Sequence, residues 1–115
     1  KSSIAVACSR WNEPLGRTSL EASSRGCAVI ISNRGGLPET ITHGIILKKL
    51  SQKSVYDSIK SLILNSKKMH ELQKLSYDNF HHTHLSAVKK IDSYREIILK
   101  KKFGYKTKIK TLKII

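Results

Sequence analysis

The chain lacks any uninterrupted apolar run of the roughly eighteen residues needed to cross a bilayer, so no membrane-spanning helix is expected. It has no recognisable secretory leader and no initiator Met, and it enters an apolar, strand-like stretch almost at once after Lys1. A fragment whose upstream part is absent is therefore expected. Cysteine is scarce, at two residues, which excludes a disulfide framework and points to a reduced, cytoplasmic compartment. Aromatic residues make up 6% of the chain, too few to interleave with basic residues as single-strand nucleic-acid binders require. Acidic residues are also few, eight against 22 Lys and Arg, for a net charge of +14.

That charge is not evenly spread. Residues 1–47 hold five Lys or Arg against three Glu, about +2, whereas residues 48–115 hold seventeen against five, about +12. A surface of this kind attracts anionic lipid or nucleic acid, but a lysine-rich codon supply yields the same composition, and an ordinary solvated surface is the preferred reading. With 115 residues the chain suffices for one modest domain. No repeat at solenoid spacing is visible.

Ser3 to Cys8 and Cys27 to Ser32 are short apolar runs without alternation, the pattern of strands buried on both faces of a parallel sheet. Between them Arg17 to Arg25 favours helix and stops at Gly26. Strand, loop, helix and strand over about thirty residues make a βαβ unit. A helical turn is expected at Pro38 to Thr42 and a third short strand near Gly44 to Leu47. Beyond residue 50 the period becomes helical. Val55, Ile59, Leu62 and Ile63 form one stripe, Met69, Leu72, Leu75 and Phe80 a second, and Leu85, Val88, Ile91, Tyr94, Ile98 and Leu99 a third. Breaks near Asn65-Ser66 and His81 to Thr83 divide this half into about three helices. The predicted class is α/β, a partial Rossmann-like parallel sheet followed by about three helices over residues 1–102, with a basic tail over 103–115.

In an open parallel sheet, ligands bind beyond the carboxyl ends of the strands. The loop Ser9 to Gly16 leaves the first strand at that edge, and the loop Asn33 to Leu37 leaves the second. Gly16 lacks a Cβ that would keep a phosphate from the backbone, and the helix that follows offers unpaired amides and a positive dipole end. Leu15, Gly16, Arg17 and Thr18 are thus expected to hold a diphosphate by main-chain groups, and Gly35 and Gly36 to allow a second close approach. Glu13 precedes Pro14, which biases it toward an extended conformation. Near a diphosphate its carboxylate needs hydroxyls as partners, and a sugar supplies them. Glu21, about one turn into the helix, can reach vicinal ribose hydroxyls with both oxygens. Taken alone, Thr18-Ser19-Leu20-Glu21 rather favours a capping box, with Glu21 returning to the Thr18 amide.

Over residues 9–39, SRWNEPLGRTSLEASSRGCAVIISNRGGLPE, two glutamates are separated by seven residues across a Pro-Leu-Gly turn, followed by Arg34-Gly35-Gly36-Leu37-Pro38-Glu39. This pattern resembles the donor site of retaining GT-B glycosyltransferases of family 4, over about residues 4–47 and, more weakly, the helices beyond. The resemblance implies that Glu13 lies at the donor sugar, that Leu15 to Thr18 contact the diphosphate, that Glu21 binds the ribose, and that Gly35 and Gly36 lie close to the nucleotide. It also implies transfer with retention of configuration and no metal or other cofactor. The partners it implies are a nucleoside-diphosphate sugar and a glycan, lipid or small-molecule acceptor bound by a separate N-terminal domain. Upstream Arg and Lys that hold the phosphates in the family are not present here, so the chain by itself is expected to be inactive. Ser23-Ser24 departs from the small apolar residues that members commonly carry.

Other features weigh less. His81, His82 and His84 lie at a helix junction without a second ligand cluster, and no Asp-x-Asp pair is present. Cys8 and Cys27 fall at opposite ends of neighbouring strands, about 17 Å apart and beyond disulfide reach. The serines of the motif have no nearby histidine base. Trp11 is expected to pack rather than stack on a ligand. The competing function is a basic helical module of residues 48–115 that binds nucleic acid or anionic lipid. It accounts for the charge, leaves residues 9–39 unexplained, and with few aromatics makes nucleic acid the less expected partner. A peripheral contact with anionic membrane is compatible with either reading.

Overall fold

A computed structural model describes residues 2–104. Its contacts group into two units, residues up to Phe80 and residues from His81 on, and each is described by itself. The first unit is a three-stranded, all-parallel sheet with helices on both faces, an α/β arrangement consistent with a Rossmann-like fragment. In chain order it comprises β1 (Ile4–Ala7), α1 (Arg17–Ser24), β2 (Ala28–Ser32), a 3₁₀ turn (Leu37–Thr40), β3 (Ile45–Leu47), α2 (Gln52–Leu64) and α3 (Ser66–Asp78).

β2 is the centre. It pairs with β1 in the register Ile4 to Ala28 through Ala7 to Ile31, and with β3 from Ile30–Ile45 to Ser32–Leu47. Its five residues are all buried, and because alternate side chains of a strand point to opposite faces, the run feeds two cores. Cys27, Val29 and Ile31 meet Leu37, Ala22 and Ile41 on the α1 side. Ala28 and Ile30 meet Leu47, Leu62, Val55, Ile59, Met69 and Leu72 on the side of α2 and α3. Full burial of a Val or Ile side chain contributes about 1.5–3 kcal/mol, so these residues dominate the energetics of the unit.

β1 does not match the expectation of a strand buried on both faces. Among the described residues it lies at the sheet edge, beside β2 alone, and Val6 is exposed. An apolar run shows that a strand is suited to burial, not that its outer neighbour lies in the same stretch of chain.

α1 begins at Arg17 and ends at Ser24, one residue short of the expected Arg25, which serves as C-cap before Gly26 at φ 70°. Small side chains let it lie close to its neighbours. Ser19 is fully buried and shares a hydrogen bond with Thr40 (2.6 Å), while Ser23 is fully buried and shares one with Ser76 of α3 (2.8 Å). The departure noted at Ser23 is therefore a packing feature. The turn after β2 spans Leu37–Thr40 rather than Pro38 to Thr42, because the amide of buried Leu37 already donates a hydrogen bond to Arg34 O, and Ile41 is extended.

α2 starts with a reciprocal capping box between Ser51 and Ser54, and Asn65 both ends α2 and caps α3 by accepting from the Lys68 amide. Val55, Ile59 and Leu62 face the sheet as expected, but Ile63 is exposed. The apolar stripe of α2 is wider than the narrow sheet it covers.

In the second unit, α4 (His84–Phe103) is capped by a reciprocal Thr83–Ser86 box and ends at Gly104 in the left-handed region. It buries no residue, and Leu85, Ile91, Tyr94 and Ile98 of the expected stripe are exposed. Phe103, assigned above to the tail, completes the helix, and residues 105–115 lie outside the described residues.

The buried Ser23–Ser76 pair yields a test. Ser23→Ala leaves the Ser76 hydroxyl buried without this partner and should cost about 1–3 kcal/mol in chemical denaturation, whereas Ser23→Ala with Ser76→Ala should recover much of that loss. Equal losses in the single and double variants would show that the pair is not coupled in this way.

Candidate functional site

Because β1 and β2 are parallel neighbours, the loops that follow them leave the sheet at the same edge. The two loops are stitched together. The Ser9 amide donates to Ser32 Oγ (2.8 Å), the Ser32 hydroxyl donates back to Ser9 O (3.0 Å), and the Gly36 amide donates to Glu13 O (2.6 Å). Gly35 sits at φ 54°, and a Cβ there would come within 2.6 Å of Glu13 N. A Cβ on Gly36 would come within 2.5 Å of Pro14 O. Sequence reasoning took these glycines as room for a ligand, but their bare Cα atoms face the neighbouring loop. Two backbones approach so closely that only glycine fits.

Gly16 has a similar explanation. It is the N-cap of α1 at φ 82°, and a Cβ there would strike Leu37 Cδ2 and lie 3.2 Å from Ser19 Oγ. The left-handed turn aims the start of α1 at the cleft.

That cleft, about 390 Å³, is lined by Val6, Cys8, Ser9, Glu13, Gly16, Arg17 and Thr18 among others. The fold thus brings together four of the expected site residues, Glu13, Gly16, Arg17 and Thr18. Leu15 is exposed and, like Gly35 and Gly36, does not line it. Glu21 lines a larger groove of about 980 Å³ beside α1, with Ser3, Arg25, Gln73 and Tyr77, and Thr18 belongs to both hollows. The smaller cleft, unlike the larger groove, holds Glu13 together with Gly16 and Arg17 at the start of α1. The larger groove follows the open edge of β1.

No side chain caps α1, and Glu21 does not return to Thr18. Its Oε1 instead accepts from Arg17 Nε at 2.6 Å. Both side chains are exposed, so this pair adds little to stability and opens readily for another partner. The first-turn amides of α1 have no acceptor within the helix, and with the dipole and Arg17 they favour an anion at the cleft. Burial pushes the Cys8 thiol up, partly offset by a hydrogen bond involving the Ser32 backbone, so it is neutral at physiological pH. Both cysteines are free thiols. Among the described residues no three His, Cys, Asp or Glu side chains converge as a ligand set.

Sequence reasoning missed two features. The Ser9–Ser32 clamp had a faint signal, a serine at or just after the end of each parallel strand. Trp11, expected to pack, is 83% exposed.

Residues 1–78 match the family model described as Glycosyl transferases group 1. The chain belongs to that family. The match ends with the last residue of α3, close to the end of the first unit. The chain is similar to Spore coat protein SA of Bacillus subtilis (strain 168), 39% identical over 79 residues, which covers 65% of this chain and 21% of that protein. It is also similar to a second protein of the same strain, named provisionally as the glycosyltransferase YtcC, 36% identical over 56 residues, 46% of this chain and 14% of that one. The chain thus spans about a fifth or less of the curated relatives it matches.

For a group 1 glycosyl transferase with Gly16 so enclosed, Gly16→Val should destabilise the fold by about 2–4 kcal/mol, from left-handed strain and overpacking against Leu37. This replaces the expectation that the glycine mainly makes room for a phosphate. A urea unfolding midpoint unchanged from wild type would refute the packing role.

Proposed function

We propose that the first unit is the nucleoside-diphosphate part of the sugar-donor site of a retaining GT-B glycosyltransferase of family 4. The observation that carries this reading is the convergence of the Glu13 loop with the unpaired first turn of α1 in one cleft. In this reading the diphosphate sits on the amides of Gly16 to Thr18, approached through Leu15 and assisted by Arg17. The ribose hydroxyls take the Glu21 carboxylate, which leaves Arg17 to the phosphates. Glu13 meets the donor sugar, and Gly35 and Gly36 act by holding the Glu13 loop in place beside the nucleotide.

Donors aimed at the leaving diphosphate stabilise charge that grows in the transition state. Retention then follows from attack on the face the diphosphate leaves, with a departing phosphate oxygen taking the acceptor proton. The basic residues that complete the phosphate site, and most of the surface that binds the acceptor, belong in this reading to further parts of the protein. The chain alone binds without turning over. A cytoplasmic location belongs to the same proposal, supported by the two free thiols.

In the intact protein, Glu21→Ala should weaken donor binding about tenfold or more with a smaller effect on the bound step, because ribose contacts persist from ground to transition state. Glu13→Gln should mainly lower kcat. Steady-state kinetics with donor varied distinguishes the two patterns. Full kcat for Glu13→Gln at saturating donor would remove Glu13 from the reacting centre.

A second, compatible reading concerns α4, which leaves Ile91, Tyr94 and Ile98 exposed at 56%, 55% and 56%. By helical periodicity these residues form one line, with Lys90 and Lys101 along one side and Arg95 and Lys102 along the other. No helix among the described residues is long and apolar enough to cross a membrane. An apolar line between basic rows instead suits the surface of an anionic bilayer. The chain should co-sediment with phosphatidylserine vesicles at low salt and be released as the screening length falls to about 8 Å near physiological salt. Indifference to such vesicles at low salt would leave the charge as solvated surface.

A further inference from the structure

Trp11 lies on a loop whose backbone is fixed on both sides of it. Ser9 is tied to Ser32 by two hydrogen bonds, the Trp11 amide donates to Ser9 Oγ (3.1 Å), and Glu13 O accepts from Gly36 (2.6 Å). On this fixed backbone the indole is 83% exposed, although burying a large aromatic side chain is ordinarily favourable. Packing among the described residues therefore does not account for it.

Its position is specific. Ser9 and Glu13 line the donor cleft, while Arg10 lines a separate hollow of about 550 Å³ with Leu50 and Tyr56. Trp11, between them in the chain, lines neither hollow, so the indole lies outside the space assigned to the donor. Exposed polar neighbours, Arg10 and Asn12, flank it in sequence. A flat apolar face with a cation and an amide next to it in the chain complements a pyranose ring, which offers C–H groups on one face and hydroxyls at its rim.

We propose that Trp11 is an acceptor-side stacking residue and that the acceptor presents a saccharide ring to it. This deepens the donor-site reading, on which its assignment to the acceptor rests. The incoming sugar meets the indole, two residues before the Glu13 that faces the donor, and its hydroxyls meet Arg10 and Asn12.

Trp11 is the single Trp of the 115-residue chain, so its fluorescence reports this site alone. Titration with malto-, cello- and chito-oligosaccharides at millimolar concentration should give a saturable emission change with at least one series. Saturation-transfer NMR should show the same binding in wild type, retained in Trp11→Phe and about tenfold weaker in Trp11→Ala. Circular dichroism should show both variants folded, since the side chain supports no core.

Nucleoside diphosphates followed by the same NMR measurement keep the two readings apart. UDP and GDP binding that survives Trp11→Ala, with saccharide binding lost, is the expected result. Diphosphate binding with no saccharide response in any series overturns the Trp11 proposal and leaves the donor site standing. Saccharide binding without diphosphate binding removes the donor reading and, with it, the acceptor assignment. Loss of both ligands in folded Trp11→Ala places the indole inside the donor site, and an emission change on anionic vesicles with none on saccharides makes it a membrane contact. Either result overturns the proposal.

Discussion

The burial of β2 on both faces is the constraint on which the rest of the unit depends. Five consecutive buried residues serve two cores at once, Val29 and Ile31 toward α1, Ala28 and Ile30 toward α2 and α3. A parallel neighbour on each side satisfies its backbone, and the crossover through α1 returns the chain to the same edge. Weakening this strand would loosen both helical layers and release the two loops that build the cleft.

The cleft depends on a second, local constraint, the contact between two loop backbones. Hydrogen bonds from Ser9 to Ser32 and from Gly36 to Glu13 are possible only because Gly35 and Gly36 remove the atoms that would keep the loops apart. Glu13 is thereby held by its own main chain, and its carboxylate is not spent on that anchoring. Gly16 likewise fits against Leu37 and starts α1 at the edge of the cleft. Glycines beside a phosphate-binding turn are easily credited to the ligand. Here they first serve the loops, and the effect on a ligand is indirect.

The outer surfaces of the molecule tell a complementary story. β1 has a neighbour on one side, Val6 is exposed, and α4 buries nothing, while the chain covers only 21% of the length of Spore coat protein SA. Apolar surface left in this state gains free energy when covered. In the proposed reading the first unit contributes the donor half of a larger site, and the exposed Trp11 suits a partner that arrives from outside the cleft.

By itself the sequence determined the βαβ unit, the helix breaks at Asn65 and near Thr83, and the family, because these depend on local features: uninterrupted apolar runs, caps, and a spaced motif of Glu and Gly. It also placed Glu13, Gly16, Arg17 and Thr18 at one edge, since parallel topology leaves no other edge for those loops. Only the tertiary structure decided that β1 is an edge strand, that Ile63 and α4 lie uncovered, that Glu21 pairs with Arg17 instead of capping α1, and that Trp11 is exposed. Periodicity states which side chains could be buried. Whether a surface exists to bury them, and which partner a carboxylate chooses among several in reach, depends on groups distant in the chain, and no local pattern encodes those distances.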